Sequence, residues 1–155
     1  MKTSHISSTQ SHTPHSQLSR LGKDFLICGF VGLFTEISFT AMDSLKRHDF
    51  RLKGTTSLWM FPIYGIGALI PPVSRFLQQK KTPVLVRGIL YTCCIFAVEY
   101  FSGKKLRDKQ CCPWDYYRSH FHVNGLIRID YAPWWFLFGL VMERLLPHLH
   151  DNSAD

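Results

Sequence analysis

The sequence predicts an all-α integral membrane bundle of four transmembrane helices, and three observations support this prediction. Four apolar segments have close to the roughly 20 residues that cross a hydrocarbon core; they cover residues 25–45, 57–77, 84–102 and 131–149. Tryptophan and tyrosine gather at the edges of these segments, where membrane proteins carry them at the lipid–water interface. Proline occurs three times in the second segment, at positions 62, 71 and 72, and membrane helices tolerate proline better than soluble helices do.

Polar stretches surround the apolar segments. Residues 1–24 are rich in Ser, Thr and His, and we expect them to form a disordered polar N-terminal tail. Residues 25–149 then form the membrane domain, and residues 150–155 a short polar tail. The turns between the first two segments and between the middle two are short, so neighbouring helices are predicted to be antiparallel. The second helix is predicted to kink near Pro62 and to end around Pro71.

Composition alone does not decide between a membrane and a soluble protein. The chain has 155 residues, 46% of them hydrophobic, and a formal net charge of +7. Lys and Arg cluster at the ends of apolar segments and form no single stripe, which argues against a nucleic-acid partner. A soluble helical bundle stays the alternative, because charged residues interrupt three of the four segments.

The predicted localisation is a multi-pass protein in a membrane that the sequence does not specify, and its first expected partner is the lipid bilayer. Lys and Arg are divided almost evenly between the two sides, so the positive-inside rule gives little guidance. No cleavable signal peptide precedes the first segment. We therefore expect both termini to be cytoplasmic.

Glu36 lies near the centre of the first segment. A charge at the middle of a lone spanning helix costs about 2.5 to 3.5 kcal/mol, so such a residue is usually buried against a partner. Glu36 could hold helices together through hydrogen bonds, or it could bind a proton or cation together with Glu99, Tyr64 or Arg87. Glu143 is a third acidic residue in an apolar segment.

The long loop before the fourth segment carries Cys-Pro-Trp-Asp-Tyr, residues 112–116. An indole and a phenol on either side of a carboxylate suit a membrane surface, with Trp114 and Tyr116 at the headgroup level. Asp115 could cap a turn or helix start, or it could bind or catalyse. Cysteines and histidines in the same loop do not have the spacing of a zinc site, so no metal is expected.

Several motifs occur in a fixed order along the four segments. They are Gly32-x-x-x-Glu36, Pro62-Ile63-Tyr64-Gly65, Glu99-Tyr100-x-x-Gly103, Trp114-Asp115-Tyr116 and Asn124-Gly125. In these the chain resembles the transmembrane protein 229 family and the related bacterial family of ABC transporter permeases of the CmpB type. The resemblance implies a four-span integral membrane protein. The candidate functional or structural polar residues are Glu36, Tyr64, Glu99, Trp114, Asp115, Tyr116 and Asn124.

The predicted function is that of a non-enzymatic, permease-like or accessory membrane component, working as a homo-oligomer or with other membrane subunits and without a cofactor. The phosphate-binding G-x-x-x-x-G-K-[ST] motif is missing, so ATP hydrolysis would need a separate subunit. The alternative is an intramembrane enzyme acting on a lipid or amphiphile, with Asp115 and either Glu36 or Glu99 as acid and base. That alternative requires these carboxylates to converge on one cavity.

Overall fold

The computed structural model describes residues 14–46 and 48–151, and 73% of it is helical. The α-helices are α1 (Pro14–Lys46), α2 (Met60–Gly65), α3 (Ile70–Gln79), α4 (Val84–Asp108) and α5 (Ala132–Asp151). One 3-10 turn, Ile66–Leu69, joins α2 to α3, and another, Ile129–Tyr131, leads into α5. Two short antiparallel strands, β1 (His122–Val123) and β2 (Ile127–Arg128), form a hairpin in the long loop.

The first helix is longer than the predicted span. Residues 14–24, which were expected to be disordered, are helical and continuous with the apolar segment that follows. Adding residues to an existing helix costs far less than starting one, and no proline interrupts residues 15–46, so the helix extends through the polar residues. At the other end, α5 runs through residues 150 and 151 of the predicted tail. The remaining tail residues, 1–13 and 152–155, lie outside the described residues.

The second apolar segment is broken at a different place from the one predicted. Pro62 lies in the first turn of α2, where a missing N–H costs little, and the helix passes through it. Pro71 and Pro72 open α3 and do not end a helix. Because neither proline can donate to a carbonyl one turn earlier, the chain tightens into the 3-10 turn Ile66–Leu69, where the N–H of Ile70 bonds to Gly67.

Residues in the left-handed backbone conformation, with positive φ, follow three of the helices. His48, Lys81 and Gln110 have φ angles of 59°, 54° and 57°. Behind Lys81, the N–H of Thr82 bonds to the carbonyl of Leu77 at 3.0 Å, the hydrogen bond expected of such a helix end. This end reverses the chain within a few residues, because α4 begins at Val84.

The helices pack in two groups that share a buried core. α1 packs against α2 and the following 3-10 turn, while α5 packs against both α3 and α4. The core cluster contains one or two side chains from each of α1, α3, α4 and α5; its members are Cys28, Ile70, Tyr91, Met142 and Leu146. Most of its members lie in the half of the molecule near the α3–α4 turn.

The outer faces of the helices are apolar. Three helical stretches are long and apolar enough to cross a membrane, Leu18–Lys46, Met60–Gln79 and Val84–Asp108, yet only 17%, 33% and 17% of their most apolar windows are buried within the protein. Phe34, for example, is 73% exposed. A surface of this kind suits lipid and not water, which supports the predicted membrane location. The fourth predicted span corresponds to α5, which is not among these three stretches.

Candidate functional site

The connection between α1 and α2 folds back along the last turns of α1. Ser44 donates a hydrogen bond to the carbonyl of Lys53 at 2.9 Å, and the N–H of Thr55 donates to the hydroxyl of Thr40 at 2.8 Å. Between these contacts the backbone of Gly54 approaches α1 so closely that an added Cβ would lie 2.4 Å from the carbonyl oxygen of Ile37. Polar side chains of α1, Ser44 and Thr40, therefore hold residues 53–57 against that helix.

This backbone path brings a hydroxyl to Glu36. Thr56 Oγ1 donates to Glu36 Oε2 at 2.9 Å. The hydroxyl of Tyr64 from α2 also lies near this carboxylate. Tyr64 can come this close because its ring covers Gly32, where a Cβ would lie 2.1 Å from the ring carbon Cγ. Gly32 and Glu36 are one helical turn apart on the same face of α1, so the glycine makes room for the tyrosine that meets the acid.

Two further candidate residues join this group from α4 and the long loop. Tyr64 lies within electrostatic range of Glu99 and Tyr116, and Tyr116 lies within range of Glu99 and Glu36. The indole of Trp135 on α5 is next to Glu99. Its Nε1 atom is buried, but no acceptor in the described residues meets hydrogen-bond geometry. We call these five residues, Glu36, Tyr64, Glu99, Tyr116 and Trp135, the Glu36–Glu99 cluster.

The Glu36–Glu99 cluster carries acids without a compensating cation. The ion pairs in the part of the chain that the structure describes include those of Arg87 with Glu143, Arg107 with Asp115 and Arg128 with Asp130. Neither Glu36 nor Glu99 takes part in one. The cluster lies at the end of the bundle formed by the start of α2, the last part of α4 and the start of α5, beneath the long loop.

At its outer edge the cluster meets a charged pair. The rings of Tyr116 and Tyr131 pack edge to face with centroids 6.2 Å apart, and Arg128 donates to the Tyr131 hydroxyl at 2.9 Å. Arg128 also binds Asp130, and this hydrogen bond lowers the pKa of the Asp130 carboxyl and raises the pKa of the guanidinium. Burial, followed by the nearby Glu99 charge, raises the pKa of the Tyr116 hydroxyl. Tyr116 is therefore a neutral donor at physiological pH.

The other candidate loop residues serve the loop itself. Trp114 Nε1 donates to the carbonyl of Leu126 at 3.0 Å, and the Asn124 amide donates to the Tyr100 hydroxyl at 3.0 Å. Asp115 is exposed, and its Oδ1 accepts from the N–H of Tyr117 at 3.0 Å. These three candidates hold the loop in place and do not join Glu36 and Glu99.

Arg107 connects α4 to this loop. Its guanidinium donates to the carbonyls of Asn124 and Gly125 at 2.6 and 3.1 Å, and it stacks over the Tyr117 ring at 5.1 Å. Asn124 and Gly125 both have positive φ angles, 51° and 64°, as the tight turn of the hairpin requires. An open cavity of about 300 Å³ lies beside them; Arg107, Gln110, Cys112, Trp114 and Asp115 line it.

A second polar site was not predicted. Glu143 on α5 is 6% exposed and accepts hydrogen bonds from Gln78, Arg87 and Tyr91. The distances are 2.9 Å to Gln78 Nε2, 2.8 Å to Arg87 Nη2 and 2.7 Å to the Tyr91 hydroxyl. The sequence contained one signal for this site. Arg87 interrupts the third apolar segment and Glu143 interrupts the fourth, and the long loop joins these two segments so that they run antiparallel.

No group of three or more metal-ligating side chains was found in residues 14–46 and 48–151. The loop cysteines bond to the backbone, with Cys111 Sγ 3.5 Å from the carbonyl of Leu106 and Cys112 Sγ 3.3 Å from that of Trp114.

Apolar outer faces around a polar, acid-containing end define a helical membrane protein. The particular family follows from the sequence match: the chain belongs to the family described as "Putative ABC-transporter type IV", whose sequence profile matches residues 24–154. No solved structure matches the chain. The match supports the permease-type part of the predicted resemblance.

Proposed function

We propose that this protein is a four-span, permease-like or accessory component of a membrane transport complex and that it catalyses no reaction itself. The observation that supports this most directly is the Glu36–Glu99 cluster: polar side chains from α1, α2, α4, α5 and the long loop converge inside a bundle whose outer faces are apolar. In a transporter-type family, polar groups inside a membrane bundle are expected to serve a solute, an ion or a partner.

The fourth span in this proposal is α5. Its 20 residues give a length of about 30 Å at 1.5 Å per residue, which matches a hydrocarbon core. Glu143 lowers its mean hydropathy, but Arg87 neutralises that charge inside the bundle. Accessibility labelling of single cysteines placed after α3, in the long loop and after α5 tests this topology. Opposite sides for the loop and the end of α5 would support a fourth span, and the same side would overturn it.

The expected partners are other membrane subunits, a second copy of the chain, or an ATP-hydrolysing subunit. The sequence supplies no phosphate-binding motif of its own, so coupling to ATP would come from a separate chain. Purification of the intact membrane complex in a mild detergent, followed by mass spectrometry, tests this proposal. Recovery of an ATPase subunit in fixed proportion would support it. A monomer without partners and without transport in vesicles would contradict it.

The lipid-enzyme alternative receives less support from the geometry. Its acid–base pair needs Asp115 near Glu36 or Glu99, but Asp115 is exposed, bonds to the N–H of Tyr117 and lies 3.8 Å from Arg107. The cavity that Asp115 lines includes neither glutamate. We therefore retain the non-catalytic proposal, and lipid turnover that is lost in Asp115→Asn would reverse that choice.

Within the family we place the chain in the transmembrane protein 229 branch. The support is the order of the motifs from Gly32-x-x-x-Glu36 to Trp114-Asp115-Tyr116, together with their contacts. Gly32 gives Tyr64 access to Glu36, and Trp114 packs against Gly103. Both termini are proposed to be cytoplasmic, which the same cysteine labelling in intact cells would test.

A further inference from the structure

We infer that Glu36 and Glu99 form one coupled site for two protons, in which the hydroxyls of Tyr64 and Tyr116 connect the two carboxyls. This inference rests on the proposed function only in placing the cluster inside a membrane protein. It deepens that function by naming the ligand of the site. Each carboxylate takes up one proton from water to become a neutral carboxylic acid, and no other bond is made or broken.

The contrast between the two ends of the bundle supports this inference. Glu143 has a guanidinium against it and donors on both oxygens, so it is stable as a carboxylate. Glu36 has hydroxyl neighbours, and Glu99 has a phenol and an indole nearby, but among residues 14–46 and 48–151 neither forms an ion pair with a cation. An acid placed in an apolar bundle without a cation is stabilised by binding a proton.

The groups around the two acids come from every element packed against them. The titratable or charged ones are Tyr64 on α2, Tyr116 in the long loop, and Tyr131, Arg128 and Asp130 at the edge; Thr56 and Trp135 complete the set. Arg128 lies within electrostatic range of Tyr116, but its guanidinium is bound to Asp130 and Tyr131 and, in the described part of the chain, forms no ion pair with Glu36 or Glu99. The phenols can each donate to one acid and accept from another, which makes the two carboxyls depend on each other.

A proton needs no cavity at the cluster. Two cavities of about 300 and 490 Å³ lie elsewhere, the first at the loop surface and the second between α4 and α5. The buried Nε1 of Trp135, which has no partner of ordinary geometry, is a donor held beside Glu99. It stabilises the acid when the proton leaves.

Infrared difference spectroscopy on the full-length protein in lipid nanodiscs tests the inference, with pH as the only variable. Between about pH 5 and about pH 9 the wild type should lose a carbonyl band of protonated carboxylic acid. Glu99→Gln and Glu36→Gln should each reduce this band, while Glu143→Gln should leave it unchanged. Because the two acids repel each other when ionised, Glu36→Gln should also move the remaining midpoint to lower pH.

Two results would overturn the inference. One is a wild-type protein without a titrating carboxylic acid band, a measurement that needs no variant and therefore no assumption about folding. The other is a band that titrates identically in wild type and Glu36→Gln, which would mean that the acids are independent. Neither result bears on whether an ATPase subunit co-purifies, so failure of this inference and failure of the proposed function are separate outcomes.

Discussion

The guanidinium of Arg87 lies across the carboxylate of Glu143, with Nη2 2.8 Å from Oε1 and Nε 3.1 Å from Oε2. Two parallel bonds of this kind fix the orientation of both side chains as well as their separation. Arg87 stands in the first turn of α4, and its Nη1 also donates to the carbonyl of Thr82 at 2.8 Å. The pair therefore joins α5 to α4 and to the turn after α3.

Removing one partner of this pair should destabilise the protein strongly. Glu143→Ala leaves a buried guanidinium without a counter-charge, and Arg87→Ala leaves the carboxylate; breaking a buried pair in this way costs about 3 to 5 kcal/mol. Thermal unfolding in detergent micelles measures the effect. The control is Arg144→Ala, because Arg144 is exposed beside Glu143. If Arg144→Ala lowers the unfolding temperature as much as Glu143→Ala does, loss of the Arg87–Glu143 pair does not explain the loss of stability.

Gly32→Ala should separate Tyr64 from Glu36. The new Cβ would fall 2.1 Å from the Tyr64 ring, so the ring or the helix must shift, at a cost of about 1 to 3 kcal/mol. Gly22→Ala on the same helix is the matched control, because nothing lies within 4 Å of its Cβ position. That control should be neutral or slightly stabilising. Equal loss of thermal stability in the two variants would contradict this account of Gly32.

Arg107→Ala should loosen the hairpin of the long loop while leaving the helices intact. The variant loses two charge-assisted hydrogen bonds and the contact with Tyr117, which together stabilise the turn at Asn124 and Gly125. Hydrogen exchange of residues 115–128 should become about 10-fold faster, equivalent to about 1.4 kcal/mol. Lys105→Ala, an exposed change on the same helix, serves as the control. Unchanged exchange in Arg107→Ala would mean that the loop is held by other contacts.

The contact between Arg128 and Asp130 should weaken in acid. The pKa of Asp130 is lowered from its ordinary value of 3.8, chiefly by the hydrogen bond from Arg128. A lowered folded-state pKa contributes stability that is complete above the ordinary value and is lost as pH falls through the folded-state value. The protection of the amides of residues 128–131, relative to the exchange of an unfolded peptide at the same pH, should therefore fall below about pH 4 in the wild type. Asp130→Asn should exchange faster at neutral pH and lose this acid dependence.

Much of the fold could be predicted because hydropathy and length are local properties of the sequence. Residues 84–102 lie within α4 and residues 132–149 within α5, although α4 extends six residues further than predicted, through Asp108. The position of the break in the second segment could not be read from proline content alone. The position of the break depends on which prolines lie in the first turn of a helix, where proline is tolerated. Pro62 lies in the first turn of α2 and Pro71 in the first turn of α3.

The site was less predictable, since its contacts depend on tertiary structure. Glu36 was considered together with Glu99 and Tyr64, whereas Tyr116 was chosen for its place at the membrane surface; the structure places all four within electrostatic range. The partner of Glu36 in the connection, Thr56, was missed because it depends on the path of residues 53–57 along α1. Arg87 was considered as a partner for Glu36 but binds Glu143, whose position is 56 residues away in sequence. Charge type alone could not distinguish these two pairings.

The neutrality of the Arg87–Glu143 pair bears on how the protein would respond to voltage. A membrane potential does work of about 2.3 kcal/mol on each elementary charge per 100 mV. Opposite charges 2.8 Å apart experience nearly cancelling forces, so the pair itself is electrically silent. Replacing Arg87 alone would leave the charge of Glu143 without its partner, and the stability of that variant would then depend on the polarisation of the membrane in which it resides.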